Sequence, residues 1–356
     1  MRPDSLTATR RNANLDLLRA TAILLVIVYH VVQMWPVPLE TLRQFTALGA
    51  YGVDLFFVLS GWLVGGLYWR EHKETGRVGV GRFISRRVLR TVPCYLVALA
   101  FSWGAVRMSD PQRGAFDPSY LLFLQNYKVT MPYFLVSWSL CIEEHFYLIL
   151  PLTMALLAKA MGTKIGRLWP LCLVPLLART VQSYNDVGSF GYAWTATHLR
   201  FEGLLAGVLA ARLHCLASPS WQGLVKWSGI LFVPVLATAV ILHFTAFGLF
   251  YTLGLTLIAL AFLLLLVTMV AQPPLRLASH PAVKAIALGS YSTYLTHSLM
   301  IHLSRQTIQH LSIHSNTLYG LVFASFIGFG GGLFYVLVEK PSLHLRDRLV
   351  PASTPL

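Results

Sequence analysis

Apolar runs long enough to cross about 30 Å of hydrocarbon begin near residues 15, 48, 88, 135, 168, 197, 224, 247, 287 and 318. Runs of this length repeated along a chain can be covered only by lipid or by one another. Charged residues make up 12% of the 356, against about 25% in an ordinary soluble domain. The expectation is an all-α, polytopic integral membrane protein of about ten transmembrane helices.

The formal net charge of +14 would suit nucleic acid, but no polar block is long enough for a nucleic-acid module, and none is expected as a partner. The basic residues instead cluster between apolar runs. With a cytoplasmic N-terminus, the loops on that side hold 20 of the 28 Lys and Arg, including seven in "REHKETGRVGVGRFISRRVLR". The other side holds Arg43, Arg107, Arg113, Lys128 and Arg305, and Arg19, Arg179 and Arg200 fall within spans. This asymmetry places both termini in the cytoplasm. Residues 1–13 and 342–356 then read as cytoplasmic tails flanking a membrane domain over 14–341. The first apolar run, Leu15 to Trp35, lacks a small-x-small cleavage site and reads as a retained helix.

Cys94, Cys141, Cys172 and Cys215 are scattered, with no CxxC pair. That is neither a disulfide framework nor a zinc site, and no metal is expected. The chemistry has to come from ionisable residues inside the spans, where such groups are costly and face protein or a wet cavity.

In "NLDLLRATAILLVIVYHVVQMW", Arg19 and His30 stand eleven residues apart. On a helix they lie within roughly 20° of one face and about 16 Å apart along the axis. The second run, "LGAYGVDLFFVLSGWLVGGLYW", returns inward and carries Asp54 at a depth similar to His30. A carboxylate beside an imidazole orients a general base, so Asp54 is expected to support His30. In "SWSLCIEEHFYLILP", Glu143 and Glu144 point about 100° apart. One can face a cavity while the other meets a partner such as Arg19 or Arg200; Ser139 shares the face of Glu143. Arg87 and Arg90, at i and i+3 in "RFISRRVLRTVPCY", can reach one anion, and arginine forks suit phosphates. Arg200 and Glu202 read equally as a structural ion pair or a site, and His297 beside Tyr294 as a helix–helix hydrogen bond. The small residues of "LSGWLVGG" and "FIGFGGG" suit close helix packing.

Inner arginines and an outer histidine suggest a reaction across the membrane, with a phosphate-bearing donor inside and an acceptor outside. Six stretches, "NLDLLRATAILLVIVYH", "GVDLFFVLSGWLVG", "RFISRRVLRTVPCY", "SWSLCIEEHFYLILP", "LGSYSTYLTH" and "YVLVEKP", together resemble the acyltransferase-3 family of integral membrane acyltransferases. The resemblance implies ten core helices, an acyl-CoA donor (acetyl-CoA by default) and a saccharide hydroxyl as acceptor, in a bacterial cytoplasmic membrane. Carried over by position, His30 would be catalytic, Arg19, Arg87 and Arg90 would bind the donor, and Glu143 would be the acid of its motif. Trp62, Cys141 and His145 depart from the residues common there. Many relatives carry a fused hydrolase-like domain; here direct transfer, or hand-over to a separate partner, is expected.

In the expected chemistry His30 is the general base, with an acyl group carried on His30 as the variant. The rival is a secondary transporter of an anionic solute. It would spread polar interruptions over two related halves, whereas these concentrate in the first four runs.

Overall fold

In the computed structural model, residues 12–37, 39–110, 112, 115–185 and 194–351 are described, and every element among them is helical. Helix α1 spans Ala13–Gln33 and starts where the Asn12 side chain accepts from the Asn14 amide at 2.9 Å, an N-cap. Helices α2 (Glu40–Thr46) and α3 (Gly52–Thr75) follow, joined by a 3-10 turn. Then come α4 (Val80–Ser109), α5 (Trp138–Met161), α6 (Val174–Asn185), α7 (Glu202–Cys215) and α8 (Pro219–Thr245). The remaining helices are α9 (Leu255–Ala271), α10 (Pro281–His310), α11 (Asn316–Phe334) and α12 (Lys340–Leu349). A π-helical turn, Tyr335–Glu339, links α11 to α12.

Seven segments among the described residues are long and apolar enough to cross a membrane: Ala13–Gln33, Glu40–Thr75, Val80–Ser109, Leu135–Met154, Pro219–Thr245, Phe247–Ala271 and Asn316–Leu349. The protein is therefore a multi-pass membrane protein. The expected runs from 168, 197 and 287 correspond to α6, α7 and α10, which are not among the seven. Helices α6 and α7 have 12 and 14 residues, short of the ~20 that span a bilayer. Helix α10 is 30 residues long, but it buries Ser290, Ser292, Thr296, His297 and Ser304. These polar residues face inward and lower its hydropathy without being exposed, while Lys284, His302, Gln306, Gln309 and His310 lie exposed toward its two ends.

Polarity elsewhere is also inverted relative to a soluble fold. Helix α8 buries only Ser228 and Ala239 and exposes Ile230, Val233 and Ile241. Ser228 accepts a hydrogen bond from Thr268 of α9 at 2.9 Å. Polar groups join helices, and apolar ones face the lipid. The expected N-terminal tail through Arg11 and the last five residues lie outside the described residues, as does Arg113. Lys340–Leu349, most of which was expected to be tail, is helix α12. It docks on α4 through Arg86 and Asp347, 2.8 Å apart.

Helix α7 is almost wholly buried and packs tightly on α3. A Cβ on Gly61 would lie 2.0 Å from the Leu204 carbonyl oxygen, and one on Gly207 would lie 2.4 Å from that of Val58. Such small residues let two backbones touch. Gly61→Ala is expected to lower stability by about 1–3 kcal/mol through overpacking. Gly66→Ala, where a Cβ meets nothing within 4 Å, should be neutral or stabilising. Unfolding temperatures in detergent check this; equal values for the two variants would contradict the packing.

The segment between α4 and α5 folds over their ends. Tyr95 donates to the Tyr120 carbonyl at 2.8 Å, and Gln125 donates to Tyr95 and to Ser137 at 3.0 Å each. Asn126 donates to the Thr195 carbonyl at 2.9 Å, tying the segment to the approach to α7. Partial burial pushes the Asp117 carboxyl up, but hydrogen bonds from Lys128 and Ser119 outweigh it and hold the group below the usual carboxylate range.

Candidate functional site

Helices α1, α3, α4, α5 and α10, with the turn into α12, enclose a cavity of about 410 Å³. Arg19, Arg70, Arg87 and Arg90 line it, together with Glu143, Glu339, Ser60, Ser139, Tyr147 and Tyr294. Four of the six expected site residues, Arg19, Arg87, Arg90 and Glu143, thus share one chamber. Its apolar wall comes mainly from α3, through Val53, Phe56, Leu59, Leu63 and Leu67. Long apolar walls with a few convergent polar groups are typical of small-molecule sites.

The polar groups are held by one another. Glu143 accepts from Ser60 at 3.1 Å on one carboxylate oxygen and from Tyr147 at 2.8 Å on the other. Tyr147 stands one turn after Glu143 on α5, and the Arg87 guanidinium lies 5.8 Å from its ring centroid. Tyr294 donates to the Val136 carbonyl at 2.9 Å, so Ser139, 2.6 Å away, must be the donor to the Tyr294 oxygen. Glu339 accepts from Ser292 at 2.5 Å. Of the adjacent acids, Glu143 lines the cavity, while Glu144 is buried beside Thr91. His145 turns away to Thr197 at 2.7 Å.

His30 does not line this cavity. It is half-buried on α1, with Nδ1 2.9 Å from the Val26 carbonyl oxygen. A carbonyl only accepts, so Nδ1 carries the hydrogen and the neutral ring presents its lone pair at Nε2. Its ring stands edge-on to His297 of α10, with centroids 4.9 Å apart. The His297 ring lies 5.5 Å from that of Tyr294, which lines the cavity. A line of rings therefore leads from the chamber to His30.

Asp54 is not the partner of His30. Its carboxylate accepts from Arg200 at 2.8 Å, with both side chains buried. The Arg200 guanidinium lies 5.4 Å from the ring centroids of both Trp138 and Trp194. The reason is azimuth: the close packing of α3 on α7 turns Asp54 toward the segment that carries Arg200. Arg200 and Glu202 do not pair either, since Glu202 takes Arg179 at 2.8 Å. Arg179 also donates to Thr252, Thr256 and the Leu199 carbonyl, so this second pair joins α6, α7 and the approach to α9.

Sequence reasoning did not single out Ser60, Tyr147, Tyr294 or Glu339 as site residues. Signals existed: Tyr147 at i+4 from Glu143, and an ionisable Glu339 inside an apolar run. Among the described residues, no group of three or more His, Cys, Asp or Glu side chains is placed to hold a metal ion, and all four cysteines are free.

The sequence matches the family of acyltransferase domains designated acyltransferase-3 over residues 12–337, which includes every helix that forms the cavity except α12. The chain belongs to the acyltransferase-3 family. It is 31% identical over 218 residues to a Staphylococcus aureus (strain COL) protein named as an O-acetyltransferase, covering 56% of this chain and 34% of that one. It is 24% identical over 236 residues to the O-acetyltransferase OatA of Staphylococcus aureus (strain NCTC 8325), covering 59% of this chain and 36% of OatA. The chain thus spans about a third of the length of the curated relatives it matches. No solved structure matches it.

Proposed function

We propose that this acyltransferase-family protein moves an acyl group, acetyl as in the names of its relatives, from cytoplasmic acyl-CoA to a saccharide hydroxyl. The observation that carries the reading is the convergence of Arg19, Arg87, Arg90 and Glu143 on one cavity, with the His30 lone pair just beyond its Tyr294 wall. Residues 14–341 form the membrane domain in this reading. The polypeptide crosses ten times, the seven apolar spans being completed by α10 and by α6 and α7 together with the segments that lead into them, and both termini are cytoplasmic. The membrane is the bacterial cytoplasmic membrane.

Acyl-CoA is a substrate here. Its phosphates suit the arginines, each of which offers a planar fork of donors. The apolar α3 wall suits the pantetheine arm, which when extended covers the roughly 16 Å between the Arg19 and His30 levels. Glu143, with both oxygens occupied by hydroxyl donors, holds Ser60 and Tyr147 in place along that path. At the far end His30 Nε2 takes the proton of the acceptor hydroxyl. The oxygen attacks the thioester carbonyl, the C–S bond breaks, and the proton passes to the sulfur as CoA leaves. Asp54, committed to Arg200, keeps the wall behind the site rigid and takes no proton.

The test is transfer of label from acetyl-CoA, labelled in the acetyl carbon, into the saccharide fraction of membranes with intact surface glycan. Arg87→Gln and Arg90→Gln are each expected to raise the KM for acetyl-CoA roughly tenfold to a hundredfold, the loss of one hydrogen bond to a charged group. Unchanged KM in both would remove the donor from this cavity. Saturable solute uptake, with no label transferred from any acyl-CoA, would replace the reading by transport.

A further inference from the structure

Resting on the reading of acyl-CoA as the donor, we propose that Arg70 binds the phosphomonoester on the 3′ carbon of the donor's nucleotide ribose. It thereby makes the enzyme prefer thioesters of CoA to those of dephospho-CoA. Arg70 lines the cavity together with Arg19, Arg87 and Arg90, and of these four it alone is exposed.

Arg70 is also uncommitted. Other cations of the basic stretch that it opens have partners: Lys73 donates to the Cys215 carbonyl at 3.1 Å, Arg82 to Glu71 at 2.5 Å and Arg86 to Asp347 at 2.8 Å. Among the described residues, none pairs with Arg70 in a hydrogen bond or ion pair. A cation placed only by the charge asymmetry of the two membrane faces needs no cavity to line; this one lines a cavity and keeps its donors open.

Depth sorts the arginines of α3 and α4. The rings of Tyr68 on α3 and Phe83 on α4 have centroids 6.2 Å apart, which sets those two residues at one level. In the proposed orientation α3 runs toward the cytoplasm and α4 away from it. At 1.5 Å per residue, the Cα of Arg70 then lies about 3 Å on the cytoplasmic side of that level, and those of Arg87 and Arg90 about 6 and 10 Å on the other side. The Arg87 guanidinium rests against the rings of Phe83 and Tyr147, 5.9 and 5.8 Å from their centroids. Arg70 therefore stands at the mouth, with Arg87 and Arg90 deeper.

The phosphates of CoA are graded in the same order. The diphosphate joins the pantetheine arm to the 5′ carbon of the ribose, and the phosphomonoester on the 3′ carbon lies beyond it, at the end away from the thioester. With the arm directed toward His30, the diphosphate meets Arg87 and Arg90, and the 3′-phosphate stays at the mouth beside Arg70. A phosphomonoester carries about −1.5 to −2 charge at pH 7 and three acceptor oxygens, which suits a guanidinium with two parallel donors free.

The test compares acetyl-CoA with acetyl-dephospho-CoA, which lacks only that phosphate, both labelled in the acetyl group. The protein is used in membranes, with the surface-glycan fraction as acceptor. The wild-type KM for the dephospho donor should exceed that for acetyl-CoA by roughly tenfold or more, the scale of one hydrogen bond to a charged group. Arg70→Gln should raise the KM for acetyl-CoA to near that level, with the KM for the dephospho donor and kcat unchanged. Arg77→Gln removes an exposed charge of the same loop that does not line the cavity and should alter neither KM. Equal rises for both donors in Arg70→Gln, no rise for either, or the same rise in Arg77→Gln would overturn the proposal. Arg87→Gln and Arg90→Gln keep the two readings apart, since through the diphosphate each should raise the KM for both donors alike. If neither raises it, the donor reading fails and Arg70 with it; if both do while Arg70→Gln treats the two donors alike, the role of Arg70 alone falls.

Discussion

His30→Ala is expected to lower acyl transfer by roughly 10²–10⁴-fold, the usual contribution of a positioned general base, at unchanged KM for acetyl-CoA. His30 is half-buried, and its Nδ1 hydrogen-bonds the carbonyl of Val26 in its own helix. It does not line the cavity that holds the arginines. Its loss should therefore leave both the bundle and the donor chamber intact. Three readings on matched protein test this: the rate of label transfer, the KM for acetyl-CoA, and the unfolding temperature in detergent. Transfer within a few-fold of wild type would remove His30 from the chemistry. A raised KM at normal kcat would move it to the donor path. A variant carrying acyl label on His30 in the absence of acceptor is not available to alanine, so trapping labelled wild-type protein with acetyl-CoA alone separates direct transfer from an acyl-His30 intermediate.

The largest effect on stability is expected at Asp54 and Arg200. Both are buried, 2.8 Å apart, and Arg200 lies against Trp138 and Trp194. Removing one partner strands the other charge away from water, which costs about 3–5 kcal/mol. Asp54→Ala and Arg200→Ala should each lower the unfolding temperature sharply and reduce the yield of folded protein. The double replacement Asp54→Leu with Arg200→Met should recover much of the loss, since apolar residues of similar volume can replace a buried pair at little net penalty. A single variant as stable as wild type would show that the pair is solvated or dispensable. Asp54→Asn adds a finer reading. It keeps the shape and an acceptor for Arg200 but removes the charge, so activity retained at lowered stability would mark Asp54 as structural. Activity lost at normal stability would restore a direct part in the chemistry.

Relations along one helix are the part of the candidate site that the sequence makes legible. The Arg19-to-His30 spacing, the Arg87/Arg90 pair and the Ser139/Glu143 face each follow from 3.6 residues per turn. Arg19, Arg87, Arg90 and Glu143 do meet in one chamber. Relations between two helices are less legible: similar depth suggests Asp54 for His30, but depth says nothing about which neighbour a helix face meets, and Asp54 meets Arg200. Span counting had a similar limit. Hydropathy summed over a window cannot tell a polar face turned into the bundle, as on α10, from one that would meet lipid.

Apolar length, sparse charge and the lopsided distribution of Lys and Arg are enough to establish a helical membrane protein and to nominate the residues for its chemistry. These properties are local, and lipid imposes them on each segment separately. Partner choice was left to packing. Gly61 and Gly207 let α3 and α7 touch backbone to backbone, which turned Asp54 to Arg200, and α1 against α10 brought His30 to His297. A buried charge takes the complement that close packing brings within reach, and that neighbour is set by how the helices pack in three dimensions.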